Sequence, residues 1–276
     1  MNFLSRFMDK AVRSGAPKVS RLIADRRLGV VFQPMVSLHD GSICGFEALV
    51  RTPGQDKLST PDELFDAAKA QHHQKQLELA CMEAAIEQWA KKTNGSPLSL
   101  NISASSLLLL EPGPLEGPLL KMLDNCRLPA RVMTLEINGL SSRIDPLELA
   151  FPVNKLRKLG VDITFDDFRC TESHVRLWSK LAPSVVKMDM RLTQGIATSP
   201  EQQKRVRALV ALSRKNGSRL AAKGIETAAD IVALNQAGVD YAQGFFLGSP
   251  DAAPAEYLNQ RAREALASGW GVDVPC

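Results

Sequence analysis

The chain has 276 residues, of which 45% are hydrophobic and 23% are charged, and its net charge is +4. These proportions are typical of a globular protein and exclude an intrinsically disordered chain. The five cysteines are scattered without a C-x-x-C pair, and no apolar run approaches the roughly 20 residues that span a bilayer. We therefore expect a cytoplasmic protein without a disulfide framework, a thiolate zinc site or a secretory signal.

The basic charge lies in the N-terminal segment, residues 1–27. This segment contains seven Lys and Arg residues against two Asp residues, so the rest of the chain is close to neutral. Its apolar residues have helix-like spacing, and they are Phe3, Leu4, Phe7, Met8 and Val12. We expect a helix that docks on its own domain or on a partner subunit, with contact to an anionic membrane as the alternative. A nucleic acid polymer is not an expected partner, because no interleaved basic and aromatic residues follow.

Eight short apolar segments are predicted strands, and most of them are followed by helical patterns, which favours parallel strands with crossover helices. The predicted strands are residues 29–33, 43–51, 98–102, 132–137, 161–166, 184–189, 219–222 and 240–247. Apolar periodicity near 3.6 predicts helices most clearly at 76–92 and 201–216. A short turn with Asp40-Gly41 separates the first two strands, so we expect them to pair as an antiparallel hairpin. The pattern predicts a single α/β barrel.

Polar residues close nearly every predicted strand. In an α/β barrel the chemistry sits at the C-terminal ends of the strands, although a lone carboxylate there is more often a helix cap. Carboxylate and amide oxygens are the ligands that Mg²⁺ and Mn²⁺ prefer, and two such ions with a nearby lysine suit phosphodiester hydrolysis. The residues in question are Gln33, Glu47, Asn101, Glu136, Asp166, Asp167, Lys187, Lys223 and Gln243.

All of these positions except Lys223 belong to eight short motifs that occur in a fixed order along the chain. They are Gln33-Pro34, Glu47-Ala48-Leu49-Val50-Arg51, Asn101-Ile102-Ser103, Leu135-Glu136, Asp166-Asp167-Phe168, Lys187-Met188-Asp189, Gly224-Ile225-Glu226 and Gln243-Gly244-Phe245. In order and spacing they resemble the motifs of EAL-domain cyclic di-GMP phosphodiesterases. The resemblance implies a TIM-type (β/α)8 barrel with an antiparallel first strand. It places the EAL domain at residues 28–262, between the basic segment 1–27 and a C-terminal tail 263–276.

The resemblance also implies roles for individual residues. Glu47, Asn101, Glu136 and Asp166 would bind Mg²⁺ or Mn²⁺, with Asp167 serving a second ion. Lys187, Asp167 and Glu226 would be catalytic, with Lys187 near the nucleophilic water. The residues that would contact cyclic di-GMP are Gln33, Leu49, Arg51, Asn101 and Gln243.

Three departures from the family pattern fall close together. Lys223 replaces a glutamate, so the second ion should be severely weakened, and its ammonium could pair with Asp166 or Asp167 instead. The loop 169–174 lacks both usual glycines, and the fourth-strand motif ends in Asn138-Gly139 without its second glutamate. The three histidines at 72, 73 and 174 have no second ligand at metal-binding spacing and are expected at the surface.

These features lead to three hypotheses about function. The first is a degenerate EAL domain that binds cyclic di-GMP, a regulatory protein or both, with one metal ion or none and little hydrolysis. The second is an active Mg²⁺- or Mn²⁺-dependent phosphodiesterase that produces pGpG, and the third is a protein-binding scaffold that ignores the nucleotide. A homodimer is a further expectation from the family resemblance.

Overall fold

The computed structural model describes residues 18–52, 60–92, 95–108, 116–141 and 143–269. Within them, eight strands close into a barrel in chain order. The predicted α/β barrel is therefore confirmed. The strands are β1 (Gly29–Ser37), β2 (Ile43–Arg51), β3 (Leu98–Ser103), β4 (Met133–Asn138), β5 (Asp162–Phe168), β6 (Val185–Met188), β7 (Arg219–Ala222) and β8 (Tyr241–Ala242).

The first strand runs against both of its neighbours. β1 pairs antiparallel with β2, where Gln33 lies opposite Glu47, and it closes the barrel by pairing antiparallel with β8. The strands from β2 to β8 pair in parallel. The predicted hairpin is thus confirmed, and the ends of β2 to β8 meet at one rim, which we call the barrel mouth.

The last strand is much shorter than predicted, because the chain turns away after Ala242. The amide of Gln243 still donates to the carbonyl of Ala222, but Gly244 lies against the backbone of Ile225. A Cβ at Gly244 would come within 2.2 Å of the Ile225 backbone nitrogen, so no other residue fits there without movement. The close approach joins the loops that follow β7 and β8.

Helices surround the barrel and bury their apolar faces on it. The predicted helices at 76–92 and 201–216 are present with ends shifted by one to three residues. The helices are α1 (Lys18–Ala24), α2 (Pro61–Ala70), α3 (Gln74–Trp89), α4 (Ala104–Leu108), α5 (Glu116–Cys126), α6 (Pro146–Lys158), α7 (Glu172–Leu181), α8 (Pro200–Lys215), α9 (Ala228–Ala237) and α10 (Gln260–Gly269). Three 3-10 turns lie at Ala130–Val132, Met190–Leu192 and Ile196–Thr198. Trp89 shows the packing well, since its ring contacts both Phe32 and Phe46 on the first hairpin.

The described part of the basic N-terminal segment packs on the barrel. Val19, Leu22 and Ile23 of α1 are buried in one cluster with Leu64 of α2 and Leu77 of α3. Residues 1–17, which hold the apolar positions of the predicted amphipathic helix, lie outside the described residues. Among the described helices, none has the length and apolar character needed to cross a bilayer.

Candidate functional site

The barrel mouth brings together polar and charged side chains from five neighbouring strands, β2 to β6. Glu47 belongs to β2, Asn101 to β3, Glu136 to β4 and Asp166 to β5. All four lie at neighbouring positions around the rim. Lys187, the penultimate residue of β6, reaches into the same space. Glu47, Glu136, Asp166 and Lys187 are buried, which is an unusual concentration of charge for a protein interior.

Glu47 is the centre of the hydrogen-bond network. Its Oε1 accepts from Nδ2 of Asn101 at 2.7 Å, and its Oε2 accepts from Nζ of Lys187 at 2.6 Å. Nε2 of Gln243 also donates to Oε2, at 3.0 Å. Burial opposes ionisation of Glu47, but the charge and hydrogen bonds of Lys187 outweigh it and lower the pKa to about 2. Glu47 is therefore an anion at neutral pH.

Lys187 bridges Glu47 to a second carboxylate. Its Nζ donates to Oε2 of Glu136 at 2.7 Å, and its side chain is 1% exposed. Burial favours neutral lysine, yet the two glutamates raise its pKa above the ordinary value. Burial and the negative charge of Glu47 raise the pKa of Glu136 to about 7. Lys187 is therefore protonated and charged at neutral pH, whereas neutral pH is close to the midpoint of the titration of Glu136.

Lys223, the residue in place of the family glutamate, binds the two aspartates at the end of β5. Its Nζ lies 2.8 and 2.9 Å from the carboxylate oxygens of Asp166 and 2.8 Å from Oδ1 of Asp167. Neighbouring residues of a strand normally point to opposite faces. Here Asp167 has a left-handed φ of 51°, and the β5–β6 register shifts nearby, so both carboxylates reach one ammonium. The predicted ion pair of Lys223 with these aspartates is present.

The residues at the mouth supply oxygen donors for a hard cation, but their arrangement does not fit a two-metal centre. An ion between Asp166 and Asp167 would meet the ammonium of Lys223, which already contacts three of their oxygens. Lys187 likewise links Glu47 to Glu136. Among the described residues, no three His, Cys, Asp or Glu side chains form a group that could hold a metal ion.

The positions expected to face a nucleotide fall in two places. Leu49, Arg51 and Asn101 line a cavity of about 370 Å³ beside β2 and β3, which lies in the usual range for small-molecule sites. Gln33 accepts from Nε2 of Gln243 at 3.2 Å, so these two residues lie on the β1–β8 side. Oε1 of Gln243 is buried and has no hydrogen-bond partner among the described residues. That acceptor is available to a donor group of a ligand.

Glu226 is separated from this network. It is exposed and lines a shallow hollow with Phe245, Phe246 and Arg261, near the start of α10. No hydrogen bond or ion pair links it to Lys187 or Lys223 within the described chain. The structure therefore does not bring Glu226 together with the other residues expected to be catalytic.

The loop after β5 is rebuilt around His174, which is buried. Its Nδ1 accepts from the backbone N–H of Arg169 at 3.0 Å, and its Nε2 lies 2.9 Å from the carbonyl oxygen of Leu140, which it can reach only as a donor. The expectation of a surface position is therefore wrong for His174, although His72 is exposed. A polar ring can be buried here because two backbone groups satisfy both nitrogens.

Three charged residues at the mouth, Asp189, Arg169 and Arg191, were not predicted as site residues from the sequence. Asp189 follows β6 and is buried, and it accepts hydrogen bonds from Arg169 and Arg191. The hydrogen bonds from Arg191 hold the pKa of Asp189 well below its usual range. The sequence feature that could have indicated this cluster is Arg169, which occupies a position where the family pattern has a glycine.

Comparison with known proteins places the chain in a family. The EAL domain model matches residues 17–250. The chain belongs to the EAL domain family. Its relatives include the bifunctional diguanylate cyclase/cyclic di-GMP phosphodiesterase MucR of Pseudomonas aeruginosa, 27% identical over 91% of this chain and 38% of that protein. Cyclic di-GMP phosphodiesterase PA2567 of the same organism is 26% identical over 80% of this chain and 38% of its own length. The chain thus spans well under half the length of these relatives.

Solved structures share the barrel of this EAL domain. The MucR phosphodiesterase of P. aeruginosa, in complex with cyclic di-GMP, has a TM-score of 0.74 at 26% identity and covers 86% of this chain and 96% of that one. BlrP1 of Klebsiella pneumoniae, in complex with calcium and cyclic di-GMP, has a TM-score of 0.73 at 24% identity, over 82% of this chain and 56% of that one. The second comparison supports the fold alone.

Proposed function

We propose that this EAL domain binds cyclic di-GMP at the barrel mouth and acts as a regulator, with little or no hydrolysis. The observation that carries the proposal is the ion pair of Lys223 with Asp166 and Asp167. The family resemblance expects a second divalent ion beside these aspartates. The ammonium of Lys223 puts a positive charge beside these aspartates, where that ion would bind. Position 223 also no longer supplies a carboxylate ligand for the ion.

The size of the electrostatic effect favours loss of the second ion. Two unit charges ~4 Å apart interact by about 4 kcal/mol at an effective dielectric near 20. Replacing a carboxylate by an ammonium reverses the sign of that interaction for each charge on the ion. The pKa of Lys223 is raised, because Asp166 and Asp167 outweigh the effect of burial, so the lysine stays charged at neutral pH.

Nucleotide binding is supported by features that do not need a second ion. The cavity beside β2 offers the guanidinium of Arg51 next to the apolar side chain of Leu49. Arg51 suits a phosphate or a guanine edge, since its forked donors match paired acceptors. Gln243, which donates to Glu47 of the same cavity lining, adds an unpartnered acceptor, Oε1. The related MucR phosphodiesterase domain has been solved with cyclic di-GMP, which agrees with this assignment.

Calorimetric titration with cyclic di-GMP tests the proposal directly. We expect binding in buffer with EDTA and little change when Mg²⁺ is added, because the lysines already neutralise part of the acidic cluster. Arg51→Ala should weaken binding, while the control Arg205→Ala, an exposed residue of α8, should not. If no heat is seen at high micromolar nucleotide, the nucleotide part of the proposal fails.

An active phosphodiesterase is the second candidate. It is favoured by the convergence of Glu47, Asn101, Glu136, Asp166 and Lys187 at one rim. Incubation with cyclic di-GMP and Mn²⁺, followed by separation of the product pGpG, decides between the candidates. Turnover that is abolished by Glu47→Ala would establish the enzyme and overturn the regulatory proposal.

A regulator also needs a surface for a protein partner. Leu147 and Phe151 on α6 are 76% and 66% exposed and lie one helical turn apart. Large exposed apolar side chains that share a helix face are typical of interaction surfaces. This face supports a protein partner or a second copy of the chain as part of the proposed function.

A further inference from the structure

Two arginines share one buried carboxylate at the barrel mouth. Arg191 donates to Asp189 through Nε at 2.9 Å and through Nη2 at 2.7 Å, and Arg169 donates through Nε at 3.0 Å. Asp189 has a side chain that is 9% exposed, whereas the arginines are 57% and 68% exposed. The carboxylate is therefore an anchor inside the protein, and both guanidinium groups lie at the surface.

The two arginines keep hydrogen-bond donors and positive charge that Asp189 does not use. Asp189 neutralises one of the two guanidinium charges, so the trio keeps a net charge of +1. Both terminal nitrogens of Arg169 and Nη1 of Arg191 have no hydrogen-bond partner among the described residues. A guanidinium fixed by one edge presents its other donors in a constant direction, which lowers the entropy cost of binding an oxyanion.

The trio belongs to the same rim as the acidic cluster. Arg169 lies two residues after Asp167, which binds Lys223, and Asp189 lies two residues after Lys187. Arg191 is also close enough to Asp167 for the two charges to interact. An anionic ligand that sits over the mouth would thus meet Arg169 and Arg191 on its β5–β6 side.

Charge balance explains why such a ligand needs these arginines. The acidic cluster has four carboxylates, Glu47, Glu136, Asp166 and Asp167, and the two ammonium groups of Lys187 and Lys223. Whether Glu136 is ionised or protonated, the other three carboxylates outnumber the two ammonium groups, so this inner set has an excess of negative charge that would repel a phosphodiester. Arg169 and Arg191 supply positive charge at the rim where a metal ion is not accommodated.

We propose that Arg169 and Arg191, oriented by Asp189, form a clamp that binds a phosphodiester group of cyclic di-GMP. The clamp rests on the proposed function, because it names residues that would hold the same ligand. It assigns a binding role to the rebuilt loop, in which an arginine stands at a position where the family pattern has glycine.

Calorimetry of arginine variants is the first test. The double variant R169Q/R191Q keeps amide donors for Asp189 but removes both charges, and we expect cyclic di-GMP to bind at least about tenfold more weakly. Binding by the variant should also depend less on salt, because fewer exposed charges are screened. R169K/R191K keeps the charge without the fork and should restore only part of the affinity. The control is Arg176→Gln, an exposed arginine of the neighbouring α7.

A second readout separates this proposal from the proposed function. The Nε–Hε signals of Arg169 and Arg191, assigned from the single Gln variants, are followed by NMR during titration with cyclic di-GMP and with inorganic phosphate. If wild type binds the nucleotide and the double variant binds equally well, the clamp is overturned and the proposed function stands. If wild type does not bind the nucleotide, the proposed function fails and the clamp is overturned for that ligand. Signals that move with phosphate would then show an oxyanion site of another kind. Thermal unfolding of each variant shows that weaker binding is not a loss of fold.

Discussion

Glu47 and Glu136 share the ammonium of Lys187, yet the pKa values of their carboxyl groups are shifted in opposite directions. Lys187 and Asn101 both hydrogen-bond to Glu47, and its pKa is lowered to about 2. Burial and the negative charges of Glu47 and Asp166 raise the pKa of Glu136 to about 7, and Lys187 is its one hydrogen-bond partner within the described chain. Glu47 is therefore the fixed anion of the pair, and Glu136 is the carboxyl group that can take up a proton.

This difference predicts a pH effect of Glu136→Gln on stability. A carboxyl group whose pKa is raised by folding stabilises the native state below its unfolded value, and that stability is lost as pH rises through about 7. Glutamine stays neutral, so the variant should gain stability relative to wild type between pH 5 and pH 8. Urea unfolding at both pH values, in EDTA, measures the difference. Glu47→Gln is the comparison and should destabilise at both values, because it removes the carboxylate that is ionised beside buried Lys187 at both pH 5 and pH 8. A constant difference between Glu136→Gln and wild type would contradict the pKa assignment.

Lys223→Glu should restore an acidic centre at the end of β5. The change removes the ammonium that contacts Asp166 and Asp167 and adds a carboxylate beside them. We expect the variant to bind Mn²⁺ at least about tenfold more tightly than wild type, since two units of charge are altered next to a dication. Calorimetric titration with Mn²⁺ measures this, and Lys180→Glu, an exposed change on α7, is the control. Equal gains in both variants would indicate a general charge effect and not a restored site.

The loop between β5 and α7 is held from inside by His174. The ring accepts from Arg169, donates to Leu140 and packs 5.5 Å from the ring of Phe168. Thr171 caps α7 by accepting from the backbone N–H of His174. The loop therefore keeps its shape without glycines, although Cys170 adopts a left-handed φ of 58° that would favour one.

His174→Ala should destabilise the protein by about 2–4 kcal/mol. The change leaves the amide of Arg169 and the carbonyl of Leu140 without their partner and opens a cavity beside Phe168. Guanidinium unfolding measures the loss. The matched control is His72→Ala, which alters an exposed histidine and should change stability by less than about 0.5 kcal/mol. Similar values for the two variants would contradict the role of His174 as a buried connection.

The elements differ in how far the sequence alone could predict them. The β1–β2 hairpin followed from Asp40-Gly41, and the order of strands followed from local apolar patterns. The short β8 was not predictable in the same way, because it ends where Gly244 meets the backbone of Ile225, a contact between distant parts of the chain. The burial of His174 and the sharing of Asp189 by two arginines also depend on such contacts. The ion pair of Lys223 was predictable because the motifs place it beside the Asp166-Asp167 pair.

Closure of the barrel determines which side chains meet at the mouth. Each parallel strand contributes its carboxyl end, so residues as far apart in sequence as Glu47 and Gln243 come within hydrogen-bond distance. On the outside of the barrel, α1 lies against α2 and α3 and buries Leu22 and Ile23. The family match begins at residue 17, so α1 falls within the matched region.

Leu22→Ala should therefore destabilise the barrel and leave membrane affinity unchanged. Leu22 is 3% exposed in the cluster with Leu64 and Leu77, and truncation of a buried leucine costs about 2–5 kcal/mol. We expect the lower end of this range, since α1 is short and lies at the edge of the fold. Urea unfolding measures the loss, with Arg21→Ala on the exposed face of α1 as the control.

Co-sedimentation with anionic vesicles provides the second measurement. Because Leu22 is already buried against its own fold, it is not available to insert into a membrane, and Leu22→Ala should not reduce any binding by the basic segment 1–27. Reduced sedimentation with unchanged stability would show instead that α1 leaves the barrel to bind the membrane.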